Sequence, residues 1–209
     1  MLWLIALANV FVYMIRYGIA DWAPTYTEEA GLLTSEQGKM AFSLHNYAGV
    51  PGMILIGWLS SKFFKGRCAP ANVIFMLLVL LSVILYWKAA PVASFLSQAL
   101  SSDPDATRVT VVYSALIAIG FFIYGPVALI GVQAINLVPK NAAGTAAGFV
   151  GLFGYLLGDA LLSKVLIGAV ADNVTLGWNA TFWIFIAASI LAALFSATTW
   201  KKEKATYHG

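Results

Sequence analysis

The chain has 209 residues, of which 61% are hydrophobic and only 10% charged, whereas ordinary soluble domains carry about 25% charged residues. That little polarity cannot cover a water-facing surface, and it places the chain among all-α integral membrane proteins. The net charge of +3 would suggest acidic partners in a soluble protein, but here the placement of charge matters more than its sum, and no nucleic-acid partner is expected. A single cysteine, Cys68, excludes an intrachain disulfide. His45 and His208 stand alone without metal-ligand spacing, and no nucleophile–base pair is visible. Neither a cofactor, a metal nor an enzymatic activity is therefore expected.

A transmembrane helix needs about 20 mostly apolar residues, and the sequence predicts six such spans, over residues 2–22, 40–64, 71–87, 109–137, 142–170 and 178–200. Pro24 and the polar stretch to Lys39 separate the first two spans, and Pro51 lies inside the second. Residues 91–107 are mixed in character, with residues 101–105 as their clear loop. The fourth span is interrupted at Gly125-Pro126. In the fifth, Gly144, Gly148, Gly151, Gly154 and Gly158 recur every three or four residues and give a smooth stripe for close packing.

Charge orients the spans. One set of loops carries Lys62, Lys65, Arg67, Lys140, Lys201, Lys202 and Lys204, with Glu203 as its acid. The opposite set carries Asp21, Glu28, Glu29, Glu36, Asp103, Asp105 and Asp172, with Lys39, Lys88 and Arg108. The positive-inside rule puts the first set, and with it both termini, in the cytoplasm. Six helices that begin without a hydrophilic lead suggest one half of a pseudo-symmetric transporter, with an N-terminal six-helix half as its missing partner.

Arg16 is the residue that asks for a function. It lies in an otherwise apolar run, where a guanidinium costs roughly 2.5–3.5 kcal/mol at mid-bilayer and cannot shed its charge. Tyr13 shares its helical face and Tyr17 lies beside it. A planar fork with neighbouring phenols suits a phosphate; the alternative is a bundle-locking pair with Asp21 or Asp159. Asp21 reads either as a solvated end charge or as a gate partner for a helix outside this chain. Asp159 and Lys164 lie five apart, a spacing that does not place them on one face of an α-helix, so no strong bridge between them is expected. Tyr124 and Tyr155 sit beside Gly125-Pro126 and between Gly154 and Gly158. As buried phenols they want a hydrogen-bond partner, for which a phosphate and a backbone carbonyl compete.

The segments Asn9-Val10-Phe11-Val12-Tyr13-Met14-Ile15-Arg16-Tyr17-Gly18 and Asp21-Trp22-Ala23-Pro24-Thr25-Tyr26 resemble the seventh helix of the organophosphate:phosphate antiporters of the major facilitator superfamily. The stretches 47–52, 124–131 and 142–155 are most similar to the glycerol-3-phosphate carriers among them. The resemblance covers nearly the whole chain as a C-terminal half, with residues 91–107 extended relative to the pattern. It implies a multi-pass protein of the bacterial inner membrane that exchanges a phosphate ester outside for inorganic phosphate inside by alternating access. It also implies that Arg16 is one of two site arginines, that Tyr13, Tyr124 and Tyr155 line the cavity, and that Asp21 pairs with a lysine of the other half. Asn46 stands where those carriers have glutamate, so that charge coupling is lost or rerouted, with Asp159 as a candidate. Ser61 replaces the aspartate of the superfamily loop signature, which weakens a cytoplasmic latch. His45 reads as a neutral packing residue in preference to a pH-sensitive partner. Two other readings remain at this level: a transporter-like sensor of sugar phosphates, and an inactive fragment.

Overall fold

The computed structural model describes residues 1–173, 175–201 and 203, and these form helices without a strand. Lys202, Lys204 and His208 lie outside the described residues. In chain order the helices are α1 (Leu2–Glu29), α2 (Ser35–Phe64), α3 (Cys68–Trp87), α4 (Ala89–Leu100), α5 (Pro104–Asn136), α6 (Lys140–Ala171) and α7 (Gly177–Trp200). Five of them, α1, α3, α5, α6 and α7, are long and apolar enough to cross a membrane. The remaining expected span, α2, has the length at 30 residues, but His45, Asn46 and Tyr47 in its middle lower its hydropathy.

Several boundaries differ from the sequence expectation. The first helix does not end before Pro24 but runs through it to Glu29. The proline removes one backbone donor, which a membrane helix tolerates when nearby groups take up the freed carbonyls. The carbonyl that Pro24 leaves free is that of Ala20, one turn earlier, while the Thr27 hydroxyl one turn later back-bonds to the carbonyls of Ala23 at 2.9 Å and Pro24 at 3.0 Å. The second helix starts at Ser35 because Thr34 and Gln37 form a reciprocal capping box. The fourth expected span is not interrupted at Gly125-Pro126: α5 is continuous, and Gly125 lies close under Phe75 and Ile56. It also starts inside the expected loop, with Pro104 in its first turn and the Asp103 carboxylate accepting from Ala106 N at 2.8 Å. The mixed segment before it is the 12-residue α4, whose Ala89, Ala93 and Ser97, four apart, are its buried face. That helix packs along α5.

The backbones of α2 and α5 touch. A Cβ at Gly52 would overlap the Phe121 carbonyl, and one at Gly120 would overlap the carbonyl of His45. The expected glycine stripe of α6 is only partly a packing surface. Gly154 and Gly158 lie against Asn9, Val10 and Tyr13 of α1, whereas Gly144, Gly148 and Gly151 face open space.

Two features near the C-terminus carry no signal in the sequence. Gln133 donates to Thr199 Oγ1 at 3.0 Å inside the bundle. The Glu203 carboxylate accepts from the backbone N–H groups of Cys68 at 2.9 Å and Ala69 at 2.8 Å. A carboxylate on the free N–H groups of a helix start satisfies orphan donors and complements the helix dipole. It ties the end of α7 to α3 close to the place where Ser61 lacks the expected acid. Ser60 contributes there as well, donating to the Arg67 carbonyl at 2.9 Å.

Candidate functional site

Arg16 is half-buried on α1, among phenols. Its guanidinium carbon lies 4.7 Å from the ring centre of Tyr17, 4.6 Å from that of Tyr124 and 6.0 Å from that of Tyr13. One guanidinium nitrogen donates to the Tyr17 hydroxyl at 3.2 Å. Aromatic faces stabilise a cation without neutralising it. Among the described residues no carboxylate lies within 4.0 Å of this guanidinium, and the ion pairs are Arg108–Asp105 and Lys164–Asp159. The bundle-locking alternative for Arg16 is therefore absent from this arrangement: Asp159 is engaged elsewhere and Asp21 is exposed, in no ion pair among the described residues.

Three helices bring the phenols together. Tyr13 and Tyr17 come from α1, one turn apart. Tyr155 comes from α6 and meets Tyr13 edge to face, with ring centres 4.9 Å apart, and Tyr17 at 6.1 Å. This approach depends on Gly154, where a Cβ would press on Asn9 and Tyr13. Tyr13 is 8% exposed, but Tyr155 is 52% exposed, so this cluster has an uncovered flank. Tyr124 comes from α5, and its ring lies over Gly49 of α2 at a distance that leaves no room for a Cβ. Its hydroxyl donates to Asn46 Oδ1 at 2.6 Å, and Asn46 Nδ2 donates to the Phe42 carbonyl at 2.9 Å. Asn46 thus bonds a site phenol and is not part of a charge pair here. Its partner across the α2–α5 contact carries no signal in the sequence.

His45 is 1% exposed. Its Nδ1 lies 3.0 Å from the Leu116 carbonyl, which requires the proton on that nitrogen. Its Nε2 has no hydrogen-bond partner among the described residues. Its burial and its bond to a backbone carbonyl of α5 fit the packing role that the sequence favours.

The expectation for Asp159 and Lys164 is overturned. Lys164 Nζ lies 3.3 Å from Asp159 Oδ1. The reason is local: Gly154–Ile167 is a π-helix of 14 residues inside α6, and its i→i+5 turn brings residues five apart onto one face. The Asp159 side chain is 14% exposed and that of Lys164 57%. The interface that holds this segment also contains an unforeseen bond, from Trp22 Nε1 to the Ser163 carbonyl at 3.1 Å. At the other end of the contact, Asn9 Nδ2 donates to the Val150 carbonyl at 2.9 Å.

The arrangement presents one permanent cation with hydrogen-bonding hydroxyls around it, open on one flank. Such a set can hold an anion with several oxygens. No protein-family model matches the chain. It is 48% identical over 207 residues to a glycerol-3-phosphate transporter of Bacillus subtilis, covering 99% of this chain and 43% of the relative. Over nearly its whole length the chain is thus similar to bacterial transporters of phosphate esters. A glycerol-3-phosphate transporter of Haemophilus influenzae is 42% identical over 196 residues, 93% of this chain and 40% of its own length. A phosphoglycerate transporter protein of Salmonella typhimurium is 34% identical over 193 residues, 92% of this chain and 37% of its own length. The chain therefore spans about two fifths of the length of these relatives.

Proposed function

We propose that the chain is the C-terminal six-helix half of a bacterial inner-membrane antiporter that exchanges glycerol-3-phosphate for inorganic phosphate. The observation that carries this reading is the Arg16 guanidinium, which is held among Tyr13, Tyr17 and Tyr124 without a carboxylate within ion-pair distance among the described residues. The likeness to transporters whose names specify glycerol-3-phosphate supports the choice of cargo. The partner is an N-terminal half that supplies a second arginine across the cleft.

The mechanism follows from charge. Two arginines facing each other repel, so the empty pocket resists closure. A phosphoryl dianion between them replaces repulsion by attraction and draws the halves together, and the two halves then rock about the bound anion. Arg16 provides the fork and Tyr17 and Tyr155 provide hydroxyls to the remaining oxygens, while Tyr124 adds its own by turning its proton from Asn46 Oδ1 to the anion. Asp21, exposed near the outer end of the site helix, pairs with a lysine of the other half and breaks that pair as the gate opens. Both termini lie in the cytoplasm, as the basic loops require.

Exchange of radiolabelled phosphate in proteoliposomes tests the proposal. Arg16→Lys in the whole protein is expected to reduce exchange by at least roughly tenfold. A point charge replaces the bidentate fork, and a hydrogen bond to a charged group is worth about 1.5–3 kcal/mol. Wild-type exchange by that variant would remove Arg16 from the site. Ligand binding without exchange by the wild type would identify a sensor.

A further inference from the structure

The π-helical stretch of α6 carries more than an unusual ion pair. Its buried residues are Gly154, Gly158, Ser163 and Ile167, spaced four, five and four apart. An α-helix turns about 100° per residue, so in that register Ile167 would point roughly 140° away from Gly154. In the wider turn the four residues stay on one side and form the seam against α1. There Gly158 lies on Val10 and Tyr13, Gly154 on Asn9 and Tyr13, and the Ser163 carbonyl bonds Trp22. Each of the first three seam residues is followed by one that does chemistry: Tyr155 after Gly154, Asp159 after Gly158, and Lys164 after Ser163. The same turn therefore sets Tyr155, Asp159 and Lys164 in a row along the flank of the seam, with Tyr155 at the Arg16 end.

A long π-helix is a poor structure on its own account; such turns usually occur singly, and often at functional sites. Something specific must hold this one. Packing on α1 is one part. The ion pair is the other, because a bond between residues five apart exists in the π register and is broken in the α register. Asp159 Oδ1 is buried and has no hydrogen bond, so the Lys164 ammonium is its only compensation among the described residues. We infer that the Asp159–Lys164 pair is a register lock for α6, and that both are positioning residues that hold Tyr155 against Tyr13 and Tyr17 beside Arg16. With the pair broken, the segment relaxes toward the α register. Because Trp22 anchors its far end, Tyr155 then turns away from Tyr13.

This inference rests on the proposed anion site for its functional consequence, but the register itself is measurable without any cargo. Leu152 just before the π segment and Val165 near its C-terminal end are both exposed. Spin labels on Leu152→Cys and Val165→Cys in a Cys68→Ala background of the whole protein report the length of the segment between them by pulsed electron resonance. The π register is shorter per residue than the α register, so Lys164→Leu and Asp159→Asn are each expected to lengthen the label distance. Lys164→Arg, which keeps the cation, is expected to retain the short distance. Binding of inorganic phosphate should weaken roughly fivefold in the two broken variants and recover in Lys164→Arg, the scale of a partly exposed ion pair. An unchanged distance in both broken variants overturns the lock, as does a lengthened distance in Lys164→Arg. A lengthened distance with phosphate affinity intact overturns the positioning of Tyr155. Absence of phosphate binding in the wild type sinks the transporter reading, and the label distance then decides the lock by itself.

Discussion

Arg16 is visible in the sequence as an anomaly of cost, since an ion that cannot lose its charge lies where charge is expensive. Its immediate neighbours Tyr13 and Tyr17 follow from helical spacing, whereas Tyr124 and Tyr155, on other helices, are joined to it only by the resemblance. The role of Asn46 is not legible in the same way. By resemblance it is a vacancy where related carriers have glutamate; in the fold it is the acceptor for the Tyr124 hydroxyl at 2.6 Å. A bond across α2 and α5 leaves no local signature, because it depends on Gly49 admitting the Tyr124 ring. The bond fixes the Tyr124 hydroxyl, and its loss should be felt by the ligand more than by the fold. Tyr124→Phe in the whole protein is expected to weaken binding of glycerol-3-phosphate about three- to tenfold, the scale of one hydrogen bond, with membrane insertion and thermal midpoint in detergent nearly unchanged. Calorimetric titration measures this, and unaltered affinity would make Tyr124 a packing residue.

At the scale of elements, the apolar runs reveal the long helices, while their ends and registers are less accessible. Proline predicts a terminus at Pro24 and an interruption at Pro126, yet both lie inside continuous helices. The expectation derives from helices in water, and within a membrane bundle neighbouring groups take up what the proline frees. The mismatch over Asp159 and Lys164 has a similar origin: the α-helical period separates residues five apart, and the period itself is different there. The spacing of Gly154, Gly158, Ser163 and Ile167 is present in the sequence, but it indicates a π turn only once α1 is known to be the surface they face. The close backbone contact between α2 and α5 is set by Gly52 and Gly120. Gly52→Ala would drive a methyl group into the Phe121 carbonyl, a backbone atom that cannot rotate away. Overpacking of this kind costs about 1–3 kcal/mol. A lowered thermal midpoint in detergent is the expected outcome, and it should be larger than that of Gly131→Ala, where nothing lies within 4 Å of the added carbon.

At the scale of the molecule, the helix lengths and the charges argue for one orientation. α5 has 33 residues, about 50 Å at 1.5 Å per residue, and exceeds the roughly 30 Å of a hydrocarbon core. α4 packs along it, and the pair are joined by the short turn after Leu100. The excess length therefore projects as a hairpin on the side carrying Asp103 and Asp105. The opposite side carries Lys62, Lys65, Arg67 and Lys140, and the positive-inside rule assigns that side to the cytoplasm. Two conservative replacements test this in intact cells. Ser102→Cys lies at the hairpin tip and Ser61→Cys near the end of α2, both exposed. A membrane-impermeant maleimide is expected to label the first in intact cells and the second only after permeabilisation. The native Cys68 is 1% exposed and should stay unlabelled in both, which removes the background. The reverse pattern would invert the chain in the membrane. It would then place Asp21 at the cytoplasmic end of the site helix, so that the gate proposed for the outer side would have to be sought on the inner one.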